Sequence, residues 1–104
     1  MIKVSVFYPR KEGVKFNMKY YTESHLPLVR GKLGDSCKGI VIDRGVRGGA
    51  PDTPAPFLVI ANLLFDDVEA FQNAFRPVAQ EIMADIPNFT NVQPTIQVSE
   101  MSSA

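Results

Sequence analysis

Only one side chain in this sequence has an unperturbed pKa near neutrality, the single histidine His25. It sits in the run Phe16-Asn17-Met18-Lys19-Tyr20-Tyr21-Thr22-Glu23-Ser24-His25-Leu26-Pro27-Leu28. On a helix, residues four apart share a face, so Tyr21 and His25 are neighbours. Pro27 has no N–H to donate to the carbonyl of Glu23, so the helix is irregular just after the imidazole. An imidazole beside a phenol is equipped for general acid–base catalysis, one group moving a proton and the other donating to a developing oxyanion. The same residues also fit a plain half-buried helix histidine bonded to a carbonyl that Pro27 leaves free. Tyr20 and Tyr21 lie about 100° apart on a helix and face different ways. Tyr21 is the one expected in a cleft with His25, and Tyr20 is a candidate substrate contact. Asp43 or Asp35 could orient the ring.

Other polar residues are weaker candidates. Asn62 interrupts an otherwise apolar run and needs hydrogen-bond partners if buried, either neighbouring backbone or a ligand. Gln97 and Thr95 could line the same space, or simply occupy an exposed edge. Cys37 reads as a small buried hydrophobe. Lys38, Arg44 and Arg47 surround a Gly/Pro-rich segment and could attract a carboxylate, or be solvated charges. With one Cys and one His, a zinc site of nitrogen and sulfur ligands is not expected. Gly45, Gly48 and Gly49 match no nucleotide fingerprint. No cofactor or metal is expected.

The elements that must position these residues follow from periodicity. Ile2, Val4, Val6 and Tyr8 alternate with Lys3, Ser5 and Phe7, a strand ending at Pro9. Asn17 is an N-cap for a helix from Met18 to Leu33, bent at Pro27 and stopped by Gly34, with Phe16 packing back on its first turns. Cys37–Asp43 reads as a strand with Gly39 a possible bulge, and residues 45–56 as a loop. Phe57–Phe65 is a strand apolar on both faces. A second helix opens at Asp66-Asp67-Val68-Glu69, kinks at Pro77 and ends near Ile86-Pro87-Asn88. Val92–Met101 is the last strand. The order β-α-β-β-α-β predicts a single α+β domain, ferredoxin-like, with an antiparallel four-stranded sheet and both helices on one face. The apolar residues on both faces of Phe57–Phe65 require a cover for the second face, and a homodimer supplies it.

Eleven basic and eleven acidic residues among 104 cancel, so no basic stripe marks a nucleic-acid partner. No apolar run spans a membrane and the N-terminus is no signal peptide. A cytoplasmic location is the expectation.

The pattern Phe16-Asn17-x-x-Tyr20-Tyr21-x-x-x-His25-x-Pro27-Leu28, with Leu64-Phe65-Asp66-Asp67-Val68-Glu69-Ala70-Phe71 and Asp85-Ile86-Pro87-Asn88-Phe89-Thr90, resembles the EthD family, named for ethyl tert-butyl ether degradation. The resemblance spans essentially the whole chain. It implies a dimeric α+β barrel, two sheets closing face to face, in a superfamily of cofactor-free monooxygenases, polyketide cyclases, muconolactone isomerases and haem-degrading enzymes. It also implies kinship with lactone methylisomerases and fungal decarboxylases that use a cleft histidine. Only His25 and the Tyr20-Tyr21 pair match positions that could be functional there, and no haem-ligand pattern is present. The expected function is cofactor-independent oxidoreductase- or isomerase-type chemistry on a small apolar organic molecule. The alternative is a non-catalytic accessory protein that holds a hydrophobic metabolite for a separate oxygenase. A third reading, a purely structural dimer, expects the space beside His25 to be filled by side chains.

Overall fold

The structure, a computed structural model, describes residues 1–103. Strand β1 (Ile2–Pro9) leads into a helical segment made of α1 (Met18–Tyr20), a π-helical stretch (Tyr21–His25) and α2 (Leu26–Leu33), closed by a 3-10 turn (Gly34–Ser36). The hairpin β2 (Gly39–Arg44) and β3 (Phe57–Phe65) follows. Then come α3 (Val68–Phe75), α4 (Ala79–Asp85), a second 3-10 turn (Ile86–Asn88) and β4 (Thr95–Glu100). The four strands form one antiparallel sheet in the order β2-β3-β1-β4, the ferredoxin-like arrangement.

The predicted helix boundaries hold for local chemical reasons. The Asn17 side chain accepts a hydrogen bond from the Tyr20 amide at 3.0 Å, filling one orphan donor of the first turn. The Phe16 and Tyr21 rings lie 5.1 Å apart, so the residue before the cap staples the helix entry. Gly34 ends the helix at φ +64°, a conformation a side chain would resist. Asp67 caps α3 by accepting from the Ala70 amide at 2.7 Å.

Some boundaries differ from expectation. The second strand starts at Gly39 because Cys37 closes the preceding 3-10 turn, its amide donating to the Gly34 carbonyl. Gly39 stays in register, and the sheet irregularity falls at Tyr8/Pro9 instead. The last strand starts at Thr95 because Val92 is buried in an aromatic cluster and Pro94 cannot donate to a ladder. At Pro77 the second helix breaks fully into α3 and α4.

Period-two alternation sends Ile2, Val4, Val6 and Tyr8 to the helix side with Val59, Ala61, Leu63 and Phe65. There they build two core clusters. One joins Val29 and Leu33 of α2 to Ile82 of α4; the other gathers Tyr8, Tyr21, Ile86, Phe89 and Val92. The opposite sheet face carries Ile60 and Leu64, half-buried, and Val41, 54% exposed. Leu58, expected on this face, is the extra residue at the Tyr8/Pro9 irregularity and packs on the helix-side cluster, while Phe57 meets Phe7 on the open face. No described helix is long and apolar enough to cross a membrane.

Candidate functional site

The helix irregularity expected at Pro27 takes the form of a π-turn one step earlier. The Leu26 amide donates to the Tyr21 carbonyl, five residues back, and Pro27 then occupies the first turn of α2, where a missing N–H does no harm. The Thr22 hydroxyl donates to the Met18 carbonyl at 2.9 Å in the turn before. Both termini of the π-turn, Tyr21 and His25, are buried. Their rings stack, centroids 5.6 Å apart with 19° between planes. The tyrosine–histidine adjacency read from spacing is thus present, and the π-turn is what presents both rings to the sheet.

His25 is held from a distant part of the chain. Its Nδ1 lies 2.9 Å from Asp85 Oδ2, at the C-terminal end of α4. Asp85 is braced in turn: Tyr20 Oη donates to Asp85 Oδ1 at 2.7 Å, and Asn88 Nδ2 donates to the same oxygen at 3.0 Å. Phe89 tilts against the imidazole, with centroids 4.5 Å apart. The expectation that Asp43 or Asp35 orients the ring is corrected: Asp43 Oδ2 instead accepts from Asn62 Nδ2 at 2.9 Å.

The electrostatics of this chain of contacts is directional. Burial lowers the His25 pKa from its ordinary value, because the charged form would lose water; the Asp85 carboxylate opposes that shift without overcoming it. Partial burial disfavours the Asp85 carboxylate, but donors on Tyr20, Asn88 and His25 outweigh that and lower its pKa. The Tyr20 phenol is raised, chiefly because its proton is shared with Asp85. At neutral pH the arrangement is an ionised carboxylate accepting from Nδ1–H, which leaves Nε2 with a free lone pair. Among the described residues Nε2 has no hydrogen-bond partner.

Beside this pair lies a cavity of about 110 Å³ between the helices and the sheet. Its walls come from β1 (Val4, Val6, Tyr8), β3 (Ala61, Leu63), the first helical segment (Tyr21, His25, Leu26, Val29) and the second (Phe71, Phe75, Ile82, Ile86), among others. Met83 and Ile96, the two exposed lining residues, mark its outer side. The space beside His25 is therefore not filled by side chains. Burial holds the Tyr21 phenol protonated, with the neighbouring Tyr8 hydroxyl adding to the effect. The Tyr21 hydroxyl is buried without a hydrogen-bond partner among the described residues.

Other predicted residues lie elsewhere. Asn62 and Gln97 are on the opposite face of the sheet, aligned across Ser5 of β1. Asn62 is satisfied there by the Ser5 hydroxyl at 3.1 Å, the Val41 carbonyl and Asp43. Gln97 is exposed and donates to the Ser99 hydroxyl at 3.0 Å. Tyr20 reaches Asp85 rather than the cavity, so it sits behind the imidazole. Residues 45–56 do not line the cavity either. Gly45 and Gly48 let this loop close on itself: a Cβ at Gly45 would strike the Phe57 carbonyl, and one at Gly48 the Thr53 hydroxyl. Among the described residues no three His, Cys, Asp or Glu side chains converge as a metal site would require.

Sequence reasoning missed Asp85, Asn88, Tyr8 and Phe89. A signal existed for three of them, in Asp85-Ile86-Pro87-Asn88-Phe89-Thr90, a segment whose resemblance to EthD proteins is visible before its contacts are. Residues 15–93, most of the chain, match the EthD domain. An EthD-like protein from Ralstonia eutropha JMP134 is 36% identical, with a TM-score of 0.90 over 95% of this chain and 89% of that one. The chain belongs to the EthD family. An EthD family protein from Bacillus halodurans C-125, at 21% identity and a TM-score of 0.75, covers 98% of this chain and 99% of its own, and shares the fold. No curated protein matches this EthD sequence.

Proposed function

We propose that this EthD-family protein carries out cofactor-independent proton-transfer chemistry, of isomerase or oxidoreductase type, on a small apolar organic molecule. His25 Nε2 is the acid–base group, and Tyr21 donates a hydrogen bond to the oxygen on which negative charge develops. The observation that carries this reading is the Asp85–His25 contact at 2.9 Å bordering an apolar cavity. A carboxylate on Nδ1 selects the tautomer with Nε2 unprotonated and stabilises the imidazolium formed when Nε2 takes a proton. An apolar surround keeps water from competing for that proton and strengthens the Tyr21 hydrogen bond. The protein works as a cytoplasmic homodimer in this proposal, the half-buried Phe57, Ile60 and Leu64 closing against a second copy.

The test is proton exchange. Small enolisable ketones incubated in D₂O with the protein should lose α-protons by NMR, and His25→Gln should abolish the protein-dependent rate. A His25→Gln variant exchanging at the wild-type rate ends the assignment. The largely apolar lining of the cavity also suits an accessory protein that retains a hydrophobic metabolite for a separate oxygenase. Stoichiometric retention of ligand without exchange or other turnover selects that second reading.

A further inference from the structure

Asp85 is poorly placed to stay on a buried imidazole unaided. It is the last residue of α4, where the carbonyl end of a helix disfavours an anion. Its side chain is 13% exposed, so a change of rotamer would return its charge to water. Nothing in its own position on the helix turns it inward.

Its hydrogen bonds do, and they are divided unevenly between its two oxygens. Oδ2 meets only His25 Nδ1, at 2.9 Å, while Oδ1 accepts from Tyr20 Oη at 2.7 Å and from Asn88 Nδ2 at 3.0 Å. Donors at both oxygens fix the plane of the carboxylate as well as its place. The two donors on Oδ1 are not equivalent. Asn88 is exposed, lies on the turn that follows Asp85, and brings its amide to 3.4 Å from Tyr20 Oη as well. Tyr20 is anchored independently of Asp85. Its amide is capped by Asn17 at 3.0 Å, and its ring lies nearly parallel to Phe89, centroids 6.3 Å apart and planes 21° apart. Phe89 in turn packs against the imidazole. The phenol thus reaches Asp85 from the same helical segment that carries His25, and a bond from a fixed donor to a charged acceptor is a strong one. Neither Tyr20 nor Asp85 lines the cavity.

We propose that Tyr20 is a positioning residue: its hydrogen bond to Asp85 Oδ1 holds the carboxylate where Oδ2 meets Nδ1–H, and so keeps the His25 ring proton on Nδ1 and Nε2 free. Without that bond the carboxylate divides its time between His25 and water. The ring proton then redistributes toward Nε2, and an imidazolium formed at His25 loses part of its counter-charge. The kinetic side of this role rests on the acid–base reading above; the effect on the ring does not.

Tyr20→Phe removes the hydroxyl and keeps the ring on Phe89. The single histidine makes its ring ¹⁵N and ¹H resonances unambiguous. In ligand-free Tyr20→Phe the tautomer ratio should move about tenfold toward Nε2–H, and the Nδ1 proton should exchange with water about tenfold faster. Tenfold is about 1.4 kcal/mol, near the low end for a hydrogen bond to a charged group. In the ketone exchange assay kcat should fall about tenfold with KM within about twofold, since Tyr20 does not touch the cavity. A tautomer ratio and Nδ1–H exchange rate unchanged in folded Tyr20→Phe overturn the proposal, as does a rise in KM with kcat intact. Asn88→Ala tests the same point without disturbing Tyr20. With the phenol still on Oδ1 the tautomer ratio should stay within about twofold of wild type, and a tenfold shift there would overturn the assignment to Tyr20. A tautomer shift in Tyr20→Phe when the wild type shows no turnover leaves the positioning role standing while the catalytic reading falls. An unshifted ring with His25-dependent exchange does the reverse.

Discussion

Asp85 Oδ2 and His25 Nδ1 meet at 2.9 Å although 60 positions separate them in the sequence. The contact ties the end of α4 to the end of the π-turn, and it sets which imidazole nitrogen is free. His25 is 4% exposed and the Asp85 side chain 13%, so the pair sits where the protein interior begins to meet solvent. A carboxylate there keeps part of its hydration and still orients a buried ring.

Replacing Asp85 with Asn should reverse the tautomer. An amide can donate to Nδ1, which moves the ring proton to Nε2 and removes the base. Ring ¹⁵N shifts should report the switch directly, and any His25-dependent rate should fall by about 10⁴-fold, the scale seen when an amide replaces the carboxylate behind a catalytic imidazole and fixes the wrong tautomer. An unchanged tautomer in Asp85→Asn would detach Asp85 from the role described.

The lowered His25 pKa has a signed consequence for pH dependence. Between its native value and the ordinary 6.5, the unfolded chain binds a proton that the folded protein refuses. The His25 contribution to stability is therefore fully present above 6.5 and is lost as pH falls through the native value. Activity that needs neutral Nε2 should show an acid limb below pH 6.5, tracked by NMR titration of the single imidazole. Asp85, also lowered, adds a further loss only below its ordinary 3.8.

Phe89 lies within ring-stacking distance of Tyr8, Phe16, Tyr20, Tyr21 and His25 and is 3% exposed. Phe89→Ala should destabilise the fold by about 3–5 kcal/mol, as other large core truncations do. Denaturant melts measure that loss. The His25 ring resonances should broaden as well, because the imidazole loses the tilted ring against which it packs.

Tyr21→Phe should leave the ligand-free protein as stable as wild type or stabilise it by about 1 kcal/mol, since the change removes a buried hydroxyl that has no partner. A loss of more than about 1 kcal/mol in a melt would mean the hydroxyl is paired in solution.

The open sheet face gives an independent prediction. Ile60→Asp places a charge on the open face between Phe7 and Asp43, its partners across the sheet, beyond the reach of the helix-side core. Sedimentation should show wild type at twice the mass of the variant, with the secondary structure of the two alike. A monomeric wild-type protein would remove the homodimer from the proposal.

The helix ends, the π-turn neighbourhood and the strand faces were legible because they are local. Asn17, Gly34 and Asp67 act within four residues, Tyr21 and His25 are four apart, and the alternation in β1 and β3 repeats every two. The same alternation places Asn62 beside Ile60 and Leu64, opposite Ala61 and Leu63; it fails at Leu58, where the irregularity at Tyr8/Pro9 shifts the register. Which of those faces the helices would cover is not a local property, and Asn62 and Gln97 lie on the uncovered one. Asp85 was invisible for the same reason. Its partner is chosen by how the end of α4 docks on the π-turn, a contact between segments whose spacing along the chain carries no periodic signal. The sequence by itself determined the element order, the family and the one imidazole able to act near neutral pH. Only the tertiary structure decided what stands behind that imidazole, what cavity stands beside it, and that Tyr21 borders that cavity with an unshared proton. Packing of distant segments creates those relationships, and short-range chemistry does not encode them.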